Sequence, residues 1–110
     1  MDTCMNALKA LSDETRFTIL SHLLRHDFCV GSLARQMGIT EGAVSQQLQV
    51  LRKADLVHGE KRGYYTHYAV DREKLREVSR FLDELSNVQQ EECACESLPP
   101  EERDCCCRDA

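Results

Sequence analysis

The chain has 110 residues, 42% of them hydrophobic, and a formal net charge of −5. This length fits one domain of ordinary size with a modest hydrophobic core. No stretch approaches the roughly 18 consecutive apolar residues that span a bilayer, and the N-terminus lacks the basic start and apolar run of a secretion signal. We therefore expect a cytoplasmic protein that does not contact a membrane.

The negative charge is concentrated at the C-terminal end. Residues 91–110 hold seven acidic and two basic residues, whereas residues 1–90 hold twelve of each. The segment 35–62 is mildly basic, with five basic and three acidic residues. Such a segment is compatible with nucleic-acid binding, which an evenly spread negative charge would oppose. We therefore divide the chain into a domain over residues 1–90 and an acidic, cysteine-rich tail over residues 91–110.

Two helices are predicted at the start of the chain. The first is indicated by apolar residues at helical spacing: Met5, Leu8 and Leu11. The second is expected to have Ser12 as its N-cap and to end near His26, because acidic residues follow Ser12 where the helix dipole favours them. Its apolar stripe consists of Phe17, Leu20, Leu23 and Leu24.

The next segment has the pattern of a helix-turn-helix. A short helix over Gly31–Met37 places Leu33, Ala34 and Met37 inward and ends at Gly38 in a C-cap position. Thr40 caps a further helix that runs from Glu41 to about Ala54. Its inward positions are Ala43 or Val44, Leu48 and Leu51, and its outward positions are Ser45, Gln46, Gln47 and Gln49. Two short helices joined by a tight glycine-containing turn are typical of this motif.

The outward face of the second helix suits the major groove of DNA. Serine hydroxyls and glutamine amides donate and accept hydrogen bonds, and glutamine can form two bonds with an adenine edge. Any exposed helix face can also carry Ser and Gln, so the face by itself leaves a purely structural interpretation open.

A β-hairpin is predicted directly after this helix. Its strands are Leu56–Glu60 and Tyr64–Val70, joined by a turn at Lys61-Arg62-Gly63. A recognition helix followed by a hairpin makes a winged helix, in which Lys61 and Arg62 would contact phosphate and Tyr64 the sugar edge. Tyr65 and Tyr68 have core packing as an alternative role. The candidate DNA-binding residues are Thr40, Ser45, Gln46, Gln47, Gln49, Arg52, Lys61, Arg62 and Tyr64.

A long helix capped by Asp71 follows the hairpin. One face of this helix is apolar and its other positions are mostly charged. The apolar face consists of Leu75, Val78, Phe81, Leu82, Leu85 and Val88. Because little other surface remains to cover this stripe, we expect it to pair with a second copy of the chain. The predicted fold class is α+β, mostly α: a winged helix-turn-helix with a long C-terminal dimerisation helix. A twofold homodimer would bind double-stranded DNA with near-palindromic half-sites.

The three segments ALSDETRFTIL, CVGSLARQMGITEGAVSQQLQVLRKADLV and KRGYYTHYAV resemble the ArsR/SmtB family of metal- and thiol-responsive repressors. The resemblance covers about residues 5–88, and the segments occur in the family's order and spacing. It implies a dimeric winged helix that occupies an operator until an inducer binds. Arsenite, zinc, cadmium, lead and persulfide donors are inducer classes of the family.

The chain departs from the sensing sites of that family. The family's thiol box usually reads Cys-Val-Cys, whereas here it reads Cys29-Val30-Gly31, and one thiolate cannot build a three-sulfur arsenite site. The family's zinc site on the last helix needs histidines, and this helix has none. His22 and His26 lie one helical turn apart, but no third ligand is evident and we interpret them as surface residues.

Five of the seven cysteines lie in the last 19 residues, ECACESLPPEERDCCCRDA. This acidic segment with Pro99-Pro100 cannot order alone, so we expect a tail that is flexible without ligand. In an extended chain residues i and i+2 point the same way, which pairs Cys93 with Cys95 and Cys105 with Cys107. Thiolates select soft ions, and the resemblance favours trivalent arsenic. The predicted ligands are Cys93, Cys95, Cys105, Cys106 and Cys107, with Cys29 and Cys4 as secondary candidates.

The sequence is also compatible with two other functions. The CVG box and the SQQL of the recognition helix are similar to the persulfide-responsive branch of the family, in which Cys29 would bridge to Cys93 or Cys95. A thiol-rich metal-buffering protein that uses the winged helix for protein contacts is a further alternative. We do not expect an enzyme, because the chain has no CxxC pair and no supported nucleophile and base set.

Overall fold

Within residues 2–91, which the computed structural model describes, five helices and three strands follow one another. The elements are α1 (Asp2–Leu11), α2 (Glu14–Arg25), β1 (Phe28–Cys29), α3 (Val30–Met37), α4 (Glu41–Lys53), β2 (Val57–Arg62), β3 (Tyr65–Val70) and α5 (Arg72–Ser86). The strands form an antiparallel sheet in the order β1-β3-β2. This arrangement confirms the predicted α+β, mostly α, winged helix.

The division of the chain at residue 90 and the flexibility of the tail stay predictions. The tail cysteines lie outside the described residues: Cys93, Cys95, Cys105, Cys106 and Cys107. No helix within residues 2–91 is long and apolar enough to cross a membrane.

The N-cap of α2 is Asp13, so the prediction of Ser12 was wrong. The Asp13 Oδ2 atom accepts a hydrogen bond from the backbone N–H of Arg16 at 3.1 Å. The Ser12 hydroxyl instead donates to the carbonyl oxygen of Lys9 at 2.7 Å, at the end of α1. Because its side chain serves the preceding helix, Ser12 is not available to the first turn of the next one.

The turn between α3 and α4 follows the prediction. Gly38 has φ 67° and ψ 32°, the left-handed conformation that glycine adopts without steric cost at a helix C-cap. The Thr40 Oγ1 atom accepts from the backbone N–H of Ala43 at 3.1 Å and caps α4. The helix-turn-helix is therefore held at both sides of its turn by local interactions.

The core is built from one face of each helix and from the start of the wing. The largest fully buried side chains are Ile19, Leu33, Val44, Leu48, Leu51 and Leu56. The predicted inward positions of α4 are confirmed for Val44, Leu48 and Leu51. On α2 the prediction is confirmed for Leu20 and Leu23, which are buried, and was wrong for Phe17, which is 56% exposed. Ile19, which the prediction left out, is 0% exposed.

The wing differs from its predicted turn. Residues pair from Val57↔Val70 to Arg62↔Tyr65, so Lys61 and Arg62 belong to β2 and the connecting residues are Gly63 and Tyr64. Gly63 has φ 66°. Two-residue hairpin turns require a positive φ at their first position, and only a glycine supplies it easily. The turn therefore forms around Gly63 rather than before it.

Strand β1 was not predicted. Its two residues pair with β3, with Phe28 opposite Tyr68 and Cys29 opposite His67. Phe28 and Tyr68 both pack against the core, which confirms core packing for Tyr68, whereas Tyr65 is exposed. Residues alternate between the two faces of a sheet, so Cys29 and His67 share the opposite face.

The apolar stripe of α5 is only partly covered. The Asp71 Oδ1 atom accepts from the backbone N–H of Lys74 at 3.2 Å, which confirms this N-cap. Val78 is buried, but Leu85 is 55% and Val88 72% exposed, and Val88 lies beyond the helix end. The C-terminal part of α5 therefore presents apolar side chains that nothing within residues 2–91 covers.

Replacing Asp13 with alanine is expected to lower the free energy of unfolding by about 1 kcal/mol, because the backbone N–H of Arg16 loses its acceptor. Asp13→Asn keeps a capping oxygen and is the matched control. Urea unfolding, followed by circular dichroism at one fixed protein concentration, measures the difference. A larger loss for Ser12→Ala than for Asp13→Ala would show that the cap is assigned to the wrong residue.

Candidate DNA-binding surface and thiol site

The polar face of α4 is exposed because the opposite face is buried. Val44, Leu48 and Leu51 fix the helix on the core. The residues that they turn toward solvent are Ser45, Gln46, Gln49 and Arg52, with Thr40 at the N-terminal end. A helix held in this way presents a row of hydrogen-bonding side chains and a terminal basic group on one surface.

Gln47 differs from its neighbours, and its predicted outward position was wrong. It is only partly exposed, and its Oε1 atom accepts a hydrogen bond from Arg16 Nη1 at 3.0 Å. Arg16 also donates through Nε to the carbonyl oxygen of Ala10 at 2.6 Å and through Nη2 to that of Lys9 at 3.4 Å. Arg16 therefore joins the C-terminal end of α1 to α4. A DNA contact by Gln47 stays a prediction.

A shallow groove of about 560 Å³ runs along this face of α4. It is lined by Arg16, Ser45, Gln46, Gln47, Gln49, Val50 and Lys53. Neither Arg16 nor Lys53 was among the predicted DNA-binding residues. Lys53 follows Arg52 at the end of the helix, and its exposure was readable from the same helical period that exposes Gln46 and Gln49.

The candidate DNA-binding residues of the wing are Lys61, Arg62 and Tyr64. Tyr64 is fully exposed at the tip. Lys61 is exposed, and no carboxylate within residues 2–91 lies at ion-pair distance from it. Arg62 pairs with Glu60, at 3.3 Å, and with Asp27. The Glu60 hydrogen bond and the Asp27 charge raise the pKa of Arg62 above its ordinary value.

The Cys29 thiol lies at the N-cap of α3. Its Sγ atom is 3.1 Å from Ser32 Oγ, and its backbone N–H donates to the same oxygen at 3.2 Å. The Ser32 hydroxyl lowers the pKa of Cys29 below its ordinary value, the backbone N–H of Ser32 acts in the same direction, and desolvation opposes both. This shift favours the thiolate, which is the reactive and metal-binding form of cysteine, relative to an ordinary thiol.

A hollow of about 640 Å³ opens beside Cys29, between the helix-turn-helix and the wing. Its walls are Cys29, Gly31, Ala34, Arg35, Ile39, Glu41, Tyr65 and His67. A Cβ atom on Gly31 would lie 2.9 Å from Glu41 Oε1, so the carboxylate occupies the space beside this glycine. A cysteine at this position, as in the family's usual thiol box, would require Glu41 to move.

The other thiol and the histidine pair do not join Cys29 in a metal cluster. The Cys4 Sγ atom on α1 is 4.0 Å from the carbonyl oxygen of Glu77 on α5. His22 and His26 each pack edge-on against Phe28, with ring centroids 6.1 Å apart. No group of three potential ligands from His, Cys, Asp and Glu occurs within residues 2–91.

Comparison with known proteins identifies the family. Residues 13–58 match the family described as bacterial regulatory protein, arsR family. The chain is 37% identical over 79 residues to the transcriptional repressor SmtB homolog of Synechocystis sp., covering 68% of this chain and 60% of that protein. It is 31% identical over 78 residues to the transcriptional activator HlyU of Vibrio cholerae, covering 71% and 72% of the two proteins.

A solved structure agrees with these relatives. The ArsR-like transcriptional regulator from Rhodococcus sp. RHA1 is 30% identical, with a TM-score of 0.73, and the match covers 77% of this chain and 80% of that one. The chain belongs to the ArsR family.

As an ArsR-family member, the protein is a DNA-binding transcriptional regulator, and the family consists of regulators rather than enzymes. Regulators of this family commonly bind metal ions as inducers. In this chain Ser45, Gln46 and Gln49 are exposed on α4, and both Cys4 and Cys29 are free thiols.

Replacing Ser32 with alanine is expected to raise the pKa of Cys29, because the thiolate loses its strongest hydrogen-bond donor. The rate of alkylation by iodoacetamide should then rise at higher pH than in the parent. The parent for this measurement carries serine in place of every other cysteine: Cys4, Cys93, Cys95, Cys105, Cys106 and Cys107. Ser21→Ala is the matched control. An unshifted pH profile for Ser32→Ala would contradict the assigned hydrogen bond.

Proposed function

We propose that the protein is a homodimeric repressor that leaves its operator when cysteine thiolates bind a thiophilic metal or metalloid, arsenite first among them. The observation that carries the DNA-binding part is the exposed row of Ser45, Gln46 and Gln49 on α4, next to the wing. Repression is supported by the similarity to the SmtB-homolog repressor.

Base recognition is assigned to the face of α4. Gln46 and Gln49 offer amides that can form two hydrogen bonds with an adenine edge, and Ser45 can donate to or accept from several bases. Thr40 and Arg52 lie near the two ends of the helix, where DNA-binding helices commonly meet phosphate. Gln47 acts mainly by holding α4 to Arg16, since that hydrogen bond already uses its side-chain oxygen.

The wing contributes to affinity more than to sequence specificity. Lys61 has no acidic partner within residues 2–91 and is assigned to phosphate. Arg62 must give up its ion pair with Asp27 or Glu60 to contact phosphate. It therefore contributes less free energy to DNA binding than Lys61 does. Tyr64 at the tip can contact the sugar edge. Lysine and arginine contacts to phosphate position the protein without reading the base sequence.

The uncovered part of α5 supports a homodimer. Leu82 and Leu85 are exposed on the same helix as the buried Val78, and Met5 of α1 is exposed as well. Burying such a stripe against its own copy removes apolar surface from water and gives an interface with twofold symmetry. Two recognition helices related by this symmetry would bind near-palindromic half-sites.

Induction is assigned to the tail thiols, whose number and spacing suit a soft ion. The proposed ligands are Cys93 and Cys95 with one or more of Cys105, Cys106 and Cys107. These residues follow α5 in the chain, so a bound ion would act on the proposed dimer helix and through it on the spacing of the recognition helices. A coupling free energy of about 1–3 kcal/mol weakens an operator complex by roughly 5–150-fold.

A persulfide-responsive repressor is the second candidate, and one observation favours it. Cys29 is a partly exposed thiol whose pKa is lowered by Ser32, as expected of a reactive cysteine. Cys93 or Cys95 would be its partner. This alternative leaves Cys105, Cys106 and Cys107 without a role. A metal-buffering protein is the third candidate, and such a protein would not bind a specific DNA sequence.

Alanine at Ser45, Gln46 or Gln49 is expected to weaken specific DNA binding by about 5–150-fold, corresponding to the roughly 1–3 kcal/mol of a base contact. Binding to unrelated DNA should change little. Gln47→Ala should instead lower the free energy of unfolding by about 1 kcal/mol. Fluorescence anisotropy on DNA from upstream of the gene measures the affinity, and the exposed Gln89→Ala is the control. Unchanged specific binding in all three variants would contradict the assigned face.

Arsenite is expected to release the reduced protein from this DNA at stoichiometric concentration. Cys93→Ser combined with Cys95→Ser should keep DNA binding and lose the response, because the thiolate ligands are removed; Cys4→Ser is the control. Anaerobic anisotropy titrations with arsenite, Cd(II), Zn(II), Cu(I) and a persulfide donor separate the alternatives. Release by the persulfide donor alone would favour the second candidate, and an absence of specific DNA binding would overturn the repressor proposal.

A further inference from the structure

Three basic side chains meet where the end of α1 packs beside the end of α4. Lys9 on the last turn of α1, Arg16 on α2 and Lys53 on the last turn of α4 line one hollow of about 350 Å³. The other residues that line this basic hollow are neutral: Asn6, Ala10, Val50 and Ala54. Like charges gathered around a concave surface raise the local concentration of ions of the opposite sign, so the basic hollow favours an anion.

The three basic groups have no acidic partner among the residues that the structure describes. No carboxylate within residues 2–91 lies at ion-pair distance from Lys9, Arg16 or Lys53. Asp13 accepts from the backbone N–H of Arg16 and not from its guanidinium. An arginine side chain has five N–H donors, and Arg16 uses three of them on protein oxygens. Two of its donors therefore remain available to a bound acceptor.

Basic residues on the last turn of a helix commonly interact with its last carbonyl oxygens, which carry partial negative charge. Here those oxygens already have donors. At the end of α1 they accept from the side chains of Ser12 and Arg16. At the end of α4 they accept from the backbone N–H groups of residues 54–56. The helix ends therefore do not need the ammonium groups of Lys9 and Lys53, which are both exposed.

The basic hollow is continuous with the polar face of α4. Arg16 and Lys53 also line the groove that contains Gln46 and Gln49. Lys53 lies one helical turn after Gln49 and two turns after Gln46, so the three side chains share one face of the helix. The major groove of DNA is about 12 Å wide, and a phosphate backbone runs along each of its edges. Basic groups beside a helix face that contacts bases are therefore placed to meet phosphate.

We propose that Lys9, Arg16 and Lys53 bind a phosphate group of the DNA backbone next to the bases that α4 contacts. The inference rests on the DNA-binding part of the proposed function and adds the end of α1 to the surface that contacts DNA. Ammonium and guanidinium groups form strong, charge-assisted hydrogen bonds with phosphate oxygens. Phosphate contacts position a protein without reading sequence, so this site adds affinity and fixes how α4 lies in the groove.

The test replaces Lys9 and Lys53 together with glutamine in the full chain, which removes both charges from exposed positions. Arg16 is left in place because it also joins α1 to α4. Fluorescence anisotropy is measured over a range of salt concentrations, on DNA from upstream of the gene and on an unrelated duplex. The slope of log association constant against log salt concentration should become shallower by about 0.9 per phosphate lost, or roughly 2 per homodimer. Affinity for both DNAs should fall by the same factor.

Arg25→Gln is the matched control. Arg25 is also an exposed basic residue on the last turn of a helix, but it does not line the basic hollow. This variant should keep the parent's salt dependence, and Lys9→Arg combined with Lys53→Arg should restore it. An unchanged slope in the folded glutamine variant would overturn the proposal, as would a change no larger than that of Arg25→Gln. A loss of affinity confined to the upstream DNA would also overturn it, because base contacts would then be responsible.

The unrelated duplex separates this inference from the repressor proposal. Equal affinity of the parent for the two DNAs would contradict a specific operator, whereas a shallower salt slope in the glutamine variant would still support the phosphate site. Normal specific binding with an unchanged slope would overturn the phosphate site alone. A parent that binds neither DNA would overturn both.

Lysine acetylation of the parent gives a measurement that does not depend on whether the variants fold. Lys9 and Lys53 should react with acetic anhydride more slowly in the DNA complex than in the free protein, as measured by peptide mass spectrometry. Equal reactivity in the two states would overturn the proposal. Inorganic phosphate at matched ionic strength is the second arm. Protection by inorganic phosphate but not by DNA would assign the site to a free anion and would also overturn the proposal.

Discussion

The hydrogen bonds of Arg16 link α4, whose polar face is the candidate DNA-binding surface, to the helices at the start of the chain. The guanidinium donates to two carbonyl oxygens at the end of α1, where a helix leaves its last carbonyls without partners, and to the side chain of Gln47 on α4. The Asp13 side chain accepts from the backbone N–H of the same residue at the start of α2. One residue therefore connects three helices, while burial of Val44, Leu48 and Leu51 holds α4 on the core with its polar face outward.

Local patterns were enough to predict most of the fold. Helix α4 follows from Thr40, whose side chain caps it, and from the period of Val44, Leu48 and Leu51, because both signals act within a few residues. Strand β1 could not be predicted, since two residues carry no period and it exists only through its pairing with β3. On α2 the same helical period placed Leu20 and Leu23 correctly, but it did not distinguish the exposed Phe17 from the buried Ile19.

The helical period of α4 also predicted its exposed polar face. Two of the predicted DNA-binding residues differ from the prediction because they form long-range interactions within the protein. Gln47 is bound to a residue 31 positions earlier in the chain, and Arg62 pairs with Asp27 from the segment before β1. Neither partner could be read from neighbouring residues. Both side chains were expected to be free for DNA, and both instead have protein partners, so the proposed DNA binding depends more on Ser45, Gln46 and Lys61.

The two groups of thiols differ in how directly they can affect DNA binding. Cys29 is the N-cap of α3 and pairs with β3, the second strand of the wing, so a ligand there would act on both DNA-binding elements within one chain. The tail cysteines follow α5 in the chain, so under the proposed mechanism a ligand on them would act through that helix. Gly31 leaves room for Glu41 where the family's thiol box usually has a second cysteine. With glycine at this position Cys29 is the one cysteine of the box, which fits the proposal that the ligands of a soft ion come from the tail.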